Sequence, residues 1–271
     1  SHSGENRPEA TESPTATPSP TATPAPITFD AAAEMNRAEL RSLSDPSEAA
    51  LYAGTEDGGT AAAAGFAETL SAAATDSTAE SDVLFIDGEY IFALSDKTLT
   101  VFRVSGEAGE TVSSTPVGTA WSSTQSDEGT FTAGESTPLG LFRYGSRLAV
   151  LLDVYGYVSA GDNVEYSEYV GVDFFDISDP AHPVLISSCG QDGVFSGAWM
   201  NDGVFCLATS YSVIGDGSAA DGIVPKLHTG TASRALAGGE LYALPAGERG
   251  CTVLGAYSLQ DAAQRNALAV Y

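Results

Sequence analysis

A tyrosine-rich stretch contains the residues best suited to binding. In "LLDVYGYVSAGDNVEYSEYVGVDFF", residues 151–175, two apolar runs flank "SAGDN" and predict a long β-hairpin. The candidate binding residues are Tyr155, Tyr157, Asp162, Glu165, Tyr166, Glu168 and Tyr169. Tyrosine offers a large, rigid contact area with a polar end, and the acids near the tip can supply oxygen ligands to Ca²⁺. Two interpretations stay open: a binding surface, with or without Ca²⁺, or a solvated hairpin whose tyrosines pack on neighbouring strands.

Few residues have the pattern of a catalytic site. The sequence lacks GxSxG, HExxH and a phosphate-binding glycine loop, and His182 and His228 have no Cys, Asp or Glu at metal-ligand spacing. The loop "GDGSAADG", residues 215–222, misses the EF-hand pattern, so no metal ligand is assigned. The acids retained for a hydrolase or lyase are Asp153, Asp173 and Asp176. Hydrogen bonding to turn or strand amides explains these acids more simply, and we therefore expect a protein that is not an enzyme.

Charge restricts the partners. The formal net charge is −25, from 36 acids against 11 Lys and Arg, and the acids are spread along the chain. Such a surface repels phosphate backbones and anionic lipid, which excludes nucleic-acid binding. No apolar run reaches the ~18 residues of a membrane span, so no direct membrane span is expected in this chain.

The three cysteines cannot all pair with one another. Cys206 lies in the strand-like run "GVFCLAT" and is expected to be a buried apolar thiol. One disulfide that uses Cys189 or Cys251 remains an alternative if the protein is exported.

Composition divides the chain into three parts. Residues 1–27 contain "EATESPTATPSPTATPAP", which cannot bury a core and predicts a disordered Pro/Thr-rich linker. Residues 28–80 are predicted to be a helical lead-in, with one helix at 29–43 and a second, Ala-rich helix at 60–74. Residues 81–271 have the texture of strands and turns, with runs that are apolar on both faces and so predict strands between neighbouring sheets.

A repeat organises the β-rich part. "FIDGEYIFALS", "FRYGSRLAVLLD" and "WMNDGVFCLATS" each place a glycine turn before an apolar strand, and Gly88, Gly145 and Gly203 lie 57 and 58 residues apart. This spacing predicts an all-β fold, a β-propeller. The corner "DISDP" at 176–180 is expected to be the step from one blade to the next. About 190 residues supply roughly three blades, whereas closure needs at least four, so a propeller truncated at the C-terminus is expected.

The quoted runs also resemble a known family. "IDGEYIFALS…LTVFRV" and "FFDISDPAHPVLISS" resemble bacterial secreted proteins with a C-terminal β-propeller, distantly related to WD40 repeats, whose blades end in "DISDP". The resemblance covers roughly residues 82–271 and implies an exported, envelope-associated propeller without an agreed chemistry.

These observations predict a non-catalytic binding or scaffolding module with an unknown ligand. We expect it to be extracellular or associated with the cell envelope, tethered through the N-terminal linker, with a protein or glycan partner. The alternatives are an envelope hydrolase or lyase acting on polysaccharide or peptide through its channel acids, and a Ca²⁺-stabilised adhesin that uses the tyrosine hairpin.

Overall fold

Strands dominate the part of the chain that the computed structural model describes. This part comprises residues 41–51, 84–105, 108–121, 123–126, 129–160, 163–212, 223–230, 232–243 and 250–271. It forms seventeen β-strands in three sheets, with 3₁₀ segments at Pro46–Leu51 and Thr119–Trp121. The predicted linker at 1–27, the predicted helix at 60–74 and the loop at 215–222 lie outside the described residues.

The first strand corrects the end of a predicted helix. Strand β1 (Arg41–Leu43) occupies the last three residues of the helix predicted at 29–43, and it pairs antiparallel with β15 (Leu241–Ala243). Leu43 is fully buried in the core there, so packing overrides the local helical preference. Residues 29–40 lie outside the described ranges.

The first and second sheets are antiparallel. Sheet 1 has the order β2-β3-β4-β5 and consists of β2 (Leu84–Asp87), β3 (Tyr90–Ser95), β4 (Thr98–Ser105) and β5 (Ala108–Pro116). Sheet 2 has the order β14-β13-β10-β9-β8-β7-β6 and consists of β6 (Ser123–Ser126), β7 (Gly129–Tyr144), β8 (Arg147–Ala160), β9 (Asn163–Asp176), β10 (Val184–Asp192), β13 (Lys226–Thr229) and β14 (Ala232–Ala235).

The third sheet combines a similar antiparallel unit with added strands. It contains β11 (Val194–Asn201), β12 (Val204–Tyr211), β16 (Cys251–Ser258) and β17 (Ala263–Val270). Strands β15 and β1 extend it to the order β1-β15-β17-β16-β12-β11, and the β15–β17 pair is parallel.

The repeat predicted from the glycines is confirmed. Each glycine lies in the two-residue turn between equivalent strands of its sheet: β2–β3, β7–β8 and β11–β12. Gly88 and Gly145 occupy the first turn position, with φ of 60° and 57°. Gly203 occupies the second, after Asp202, which itself has φ 46°. Equivalent turn positions in successive sheets are therefore 57 residues apart in both steps. Gly145 and Gly203 are 58 residues apart because Gly203 occupies the second position of its turn.

The expected role of the "DISDP" corner is wrong. The segment that follows Asp176 joins β9 to β10, which pair antiparallel within one sheet. The Ser178 amide donates to Asp176 Oδ1 at 2.8 Å and the Ala181 amide donates to Asp179 Oδ1 at 3.0 Å, which folds the chain back on itself. The step from sheet 2 to sheet 3 is instead the single residue Gly193, with φ 104°.

Sheet 2 is buried between the other two sheets. On one face, Leu148, Val150 and Phe175 join the core that contains Phe92 and Val101 of sheet 1. The opposite face contributes to the core shared with sheet 3, and its members include Leu151, Val172, Phe174, Phe205 and Leu207. The prediction that strands apolar on both faces lie between neighbouring sheets is therefore confirmed.

The turn between β7 and β8 contacts the equivalent turns of both neighbours. Arg143 donates from Nη2 to Asp87 Oδ2 at 2.6 Å, and the Tyr144 hydroxyl donates to Asp202 Oδ1 at 3.3 Å. A Cβ at Gly203 would lie only 2.7 Å from the Tyr144 ring, so the close approach requires glycine there. The three repeated turns thus form one connected rim.

Equivalent leucines show which sheet faces are covered. Leu84 of sheet 1 and Leu141 of sheet 2 lie 57 residues apart at the same position in their meanders. Leu141 is 4% exposed in the core between sheets 1 and 2, whereas Leu84 is 50% exposed on the outer face of sheet 1.

This pair predicts unequal costs for one substitution. Leu141→Ala should lower the free energy of unfolding by about 3 kcal/mol, because it removes buried methyl groups and leaves a cavity. Leu84→Ala should cost about 1 kcal/mol or less, since half of that side chain already contacts solvent. Urea denaturation of both variants checks this, and equal losses would contradict the assigned layering.

Candidate binding site

The tyrosine-rich hairpin is formed by β8 and β9, as predicted. Tyr155 lies opposite Glu168 and Tyr157 lies opposite Tyr166, and residues directly opposite in an antiparallel pair share a face. Asp153 lies two residues before Tyr155 on β8, on the same face. We call this set the tyrosine face: Asp153, Tyr155, Tyr157, Tyr166 and Glu168.

The three rings of the tyrosine face form a cluster. The centroid of Tyr166 lies 6.1 Å from that of Tyr155 and 6.1 Å from that of Tyr157, with interplanar angles of 33° and 75°. Tyr157 is 52% exposed and Tyr166 is 49% exposed. The Tyr166 hydroxyl donates to Glu168 Oε2 at 3.2 Å, which holds the ring beside the carboxylate. The rings therefore make walls at an angle to one another, with solvent on one side.

The electrostatic environment of this face is negative. Partial burial, and then the charge of Glu168, raise the pKa of Asp153. Burial, the charge of Glu168 and its hydrogen bond, and the charge of Asp153 raise the pKa of Tyr166. Asp153 Oδ1 is buried and has no hydrogen-bond partner among the described residues. A group that donates hydrogen bonds or carries positive charge would relieve this arrangement.

Three of the predicted binding residues do not contribute to the described face. Tyr169 follows Glu168 directly, so it points to the opposite side of β9. It is 2% exposed there, packs edge-on against Trp121 at 5.5 Å and stacks on His228 at 4.5 Å. Its prediction as a binding residue is therefore wrong, because the alternation of the strand places it in the core. Asp162 and the side chain of Glu165 lie outside the described part.

The structure contains a partly buried Asp–His pair that the sequence did not predict. His228 has no acid at metal-ligand spacing in the sequence, but it lies in β13 and its Nε2 is 2.7 Å from Asp192 Oδ1. The Lys226 amide donates to Asp192 Oδ2 at 2.7 Å. Strand β13 reads "KLHT" and contains one apolar residue, Leu227, so the sequence carried little signal for a strand there. The acid lies 36 residues away in sequence, so no local pattern could have identified it.

Asp153, Asp173 and Asp176 do not form a paired-carboxylate site. Val170 of β9 lies opposite Asp153, and Asp173 points to the other face of β9 from Val170. The Asp173 carboxylate accepts hydrogen bonds from the Gly118 amide at 2.7 Å and from Ser188 Oγ at 2.6 Å. Asp176 ends β9 and is ion-paired with Arg147. It lies six residues beyond Val170, a separation of about 20 Å along an extended strand. Carboxylate pairs in glycosidases are about 5–10 Å apart.

The cysteines are all free thiols. Cys189 and Cys251 are buried, whereas Cys206 is only partly buried, which differs from its expected position in the core. Burial raises the pKa of Cys189 to about 12 and that of Cys206 to about 11. These pKa values keep both thiols protonated at neutral pH and suppress their nucleophilicity.

Neither a cluster of metal ligands nor a membrane-spanning helix occurs within the described ranges. Among these residues, no three His, Cys, Asp or Glu side chains gather where they could hold a metal ion. In the same part of the chain, no helix has the length and apolar character required to cross a membrane.

The pKa values of Asp153 and Asp176 are shifted in opposite directions, so removing each charge should change the pH dependence of stability differently. Burial raises the pKa of Asp153 in the folded protein above its value of about 3.8 in the unfolded chain. The protonated form is therefore favoured by folding, and wild type loses stability as the pH rises through the folded pKa. Relative to wild type, Asp153→Asn should therefore gain stability as pH rises from 4.5 to 7. The hydroxyl and amide of Ser178, with Arg147, lower the pKa of Asp176 to about 2 against an opposing effect of burial.

Asp176→Asn provides the matched control for that experiment. The contribution of Asp176 is fully present above pH 4 and is lost only as pH falls through about 2, so this variant should be less stable than wild type by a constant amount between pH 4.5 and 7. Urea unfolding across this range measures both differences. A stability difference for Asp153→Asn that does not change with pH would refute the raised pKa assigned to Asp153.

Comparison with known proteins agrees with the three repeated sheets. A family model described as a beta propeller domain matches residues 75–270, a segment that contains β2 through β17. No curated protein and no solved structure gives a significant match. The match covers well over half of the chain and includes all three glycine turns. The chain therefore belongs to the beta propeller domain family.

Proposed function

We propose that this propeller domain is a non-catalytic binding module that uses the tyrosine face to hold a protein or glycan at the cell envelope. The observation that carries the proposal is the pair of half-exposed rings, Tyr157 and Tyr166, beside Glu168. Aromatic residues with a polar end are enriched at binding surfaces, because they bury much area and lose little conformational entropy.

The position of the face supports this proposal. Near Asp153 and Val170, both faces of sheet 2 contribute to the cores, whereas the hairpin beyond them exposes Tyr157 and Tyr166. A ligand can therefore reach these rings without disturbing the packing between sheets. The scaffold is rigid and the contact residues lie at one end of it, which is a common arrangement of binding sites.

The extracellular location rests on sequence features. The Pro/Thr-rich segment at 9–26 has the composition of an extended tether, and the acidic, Lys-poor composition suits a protein exposed to a cation-rich medium. The resemblance to secreted bacterial proteins points in the same direction. Export with the linker intact would be detected by labelling intact cells with an impermeant reagent.

A binding panel tests the function. The panel contains short peptides of positive, neutral and negative charge and neutral oligosaccharides from cell-envelope polysaccharides, and binding is measured by calorimetry. At least one class should bind wild type, and the double variant Tyr157→Ala/Tyr166→Ala should weaken that binding at least tenfold, because truncated aromatic anchors typically cost more than about 1.4 kcal/mol.

Tyr144→Ala is the control for that double variant. Tyr144 is also a partly exposed tyrosine, but it lies on the rim formed by the repeated turns, away from the tyrosine face. Binding should survive this change. Binding that is equally affected by both changes, or no binding by any member of the panel, would refute the assignment of the tyrosine face as the site.

A further inference from the structure

We infer that the tyrosine face recognises a cationic side chain, a lysine ammonium or an arginine guanidinium, presented by a basic peptide segment of a protein partner. This inference rests on the proposed function, since it names the ligand chemistry of the same face. It depends on three features: the angle between the rings, the sign of the surrounding charge, and an unsatisfied carboxylate oxygen.

The three rings lie close together at different angles. Tyr155 and Tyr157 flank Tyr166, with both centroids 6.1 Å from it and with interplanar angles of 33° and 75°. A flat sugar ring stacks best on a single open aromatic surface, whereas walls at an angle present several π faces to one point. A cation within about 6 Å of ring centroids is attracted by the negative faces of the rings.

The charged groups near the rings are negative. Glu168 accepts a hydrogen bond from Tyr166, and both Glu168 and Asp153 act on the Tyr166 hydroxyl. Asp153 also has a buried oxygen that no described residue satisfies. Asp153 thus lacks a compensating donor, and a bound ammonium or guanidinium would supply positive charge beside both acids and a donor to the Glu168 carboxylate.

Five arginines of the described ranges are paired with acids outside the tyrosine face. The ion pairs of the described arginines are Arg103–Glu110, Arg143–Asp87, Arg147–Asp176, Arg234–Glu240 and Arg265–Asp261. None of these pairs includes a residue of the tyrosine face. A basic ligand would supply complementary charge to this face, and the net charge of −25 favours its approach.

Paired peptides test the charge directly. The probe is an acetylated, amidated Gly-Arg-Gly-Arg-Gly peptide, and its match is the same peptide with citrulline, which keeps the shape and removes the charge. Calorimetry should show the arginine peptide binding at least tenfold more tightly, with an affinity that falls as salt is raised from about 0.05 to 0.3 M. A lysine version should bind as well, and free choline or spermidine should compete only weakly.

Substitutions on the chain locate the site. Glu168→Gln keeps the size of the side chain and should weaken arginine-peptide binding about tenfold. Tyr166→Leu should weaken it about fivefold through loss of the π face, whereas Tyr166→Phe should bind nearly as wild type. Glu110→Gln is the control for non-specific attraction, because Glu110 is an exposed acid in sheet 1 and should leave the affinity unchanged. Unchanged melting temperatures establish that the variants are folded.

The outcomes separate the inference from the function on which it rests. Equal binding of the arginine and citrulline peptides, or losses that are equal in Glu168→Gln and Glu110→Gln, overturns the cation site. Binding of free choline or spermidine more tightly than the peptides overturns the protein partner. A neutral oligosaccharide that binds through Tyr157 and Tyr166 overturns the inference while the binding function stands. If no panel member binds, both are wrong.

Discussion

The fold depends on one constraint: the second sheet is buried on both faces. Leu148 and Val150 alternate with Ala149 and Leu151 along β8, and all four side chains are fully buried. Each side chain that turns away from sheet 1 therefore turns toward sheet 3, and a shift of one residue in β8 would exchange the two cores. This constraint fixes the register of β7, β8 and β9, and with it the position of the tyrosine face.

The extension of the hairpin follows from the same alternation. Asp153 lies directly after the run of buried residues, and beyond it the side chains on the outward face are polar or aromatic. Strands β8 and β9 stay paired beyond Asp153. The side chains of Tyr155 and Tyr157 therefore lie on the same face of β8 as Leu151, which is in the core. The core thus determines which tyrosines face outward. The same alternation along β9 directs Tyr169 into the opposite core and away from the tyrosine face.

The sequence was sufficient for features that repeat or alternate locally. The glycine turns predicted the repeated meander, and the apolar runs predicted sheets stacked on both sides. The "DISDP" corner was misplaced because its hydrogen bonds fit any tight return, and only the pairing of β9 with β10 shows that the return stays within one sheet. The strand Arg41–Leu43 could not be predicted because its partner lies 200 residues away. Likewise, the Asp192–His228 pair arises from a tertiary contact that no local pattern encodes.

The links between sheets differ in length, and this difference has a mechanical consequence. Sheet 2 passes to sheet 3 through Gly193 alone, whereas sheet 1 passes to sheet 2 through a longer connection that contains the 3₁₀ segment Thr119–Trp121. The amide of Gly193 also donates to the Glu168 carbonyl at 2.9 Å, which joins the link to the base of the tyrosine hairpin. A pulling force applied at that hairpin would therefore pass from sheet 2 into sheet 3 through a single residue. Sheet 1 is joined to these two sheets by the longer connection and by the core that it shares with sheet 2.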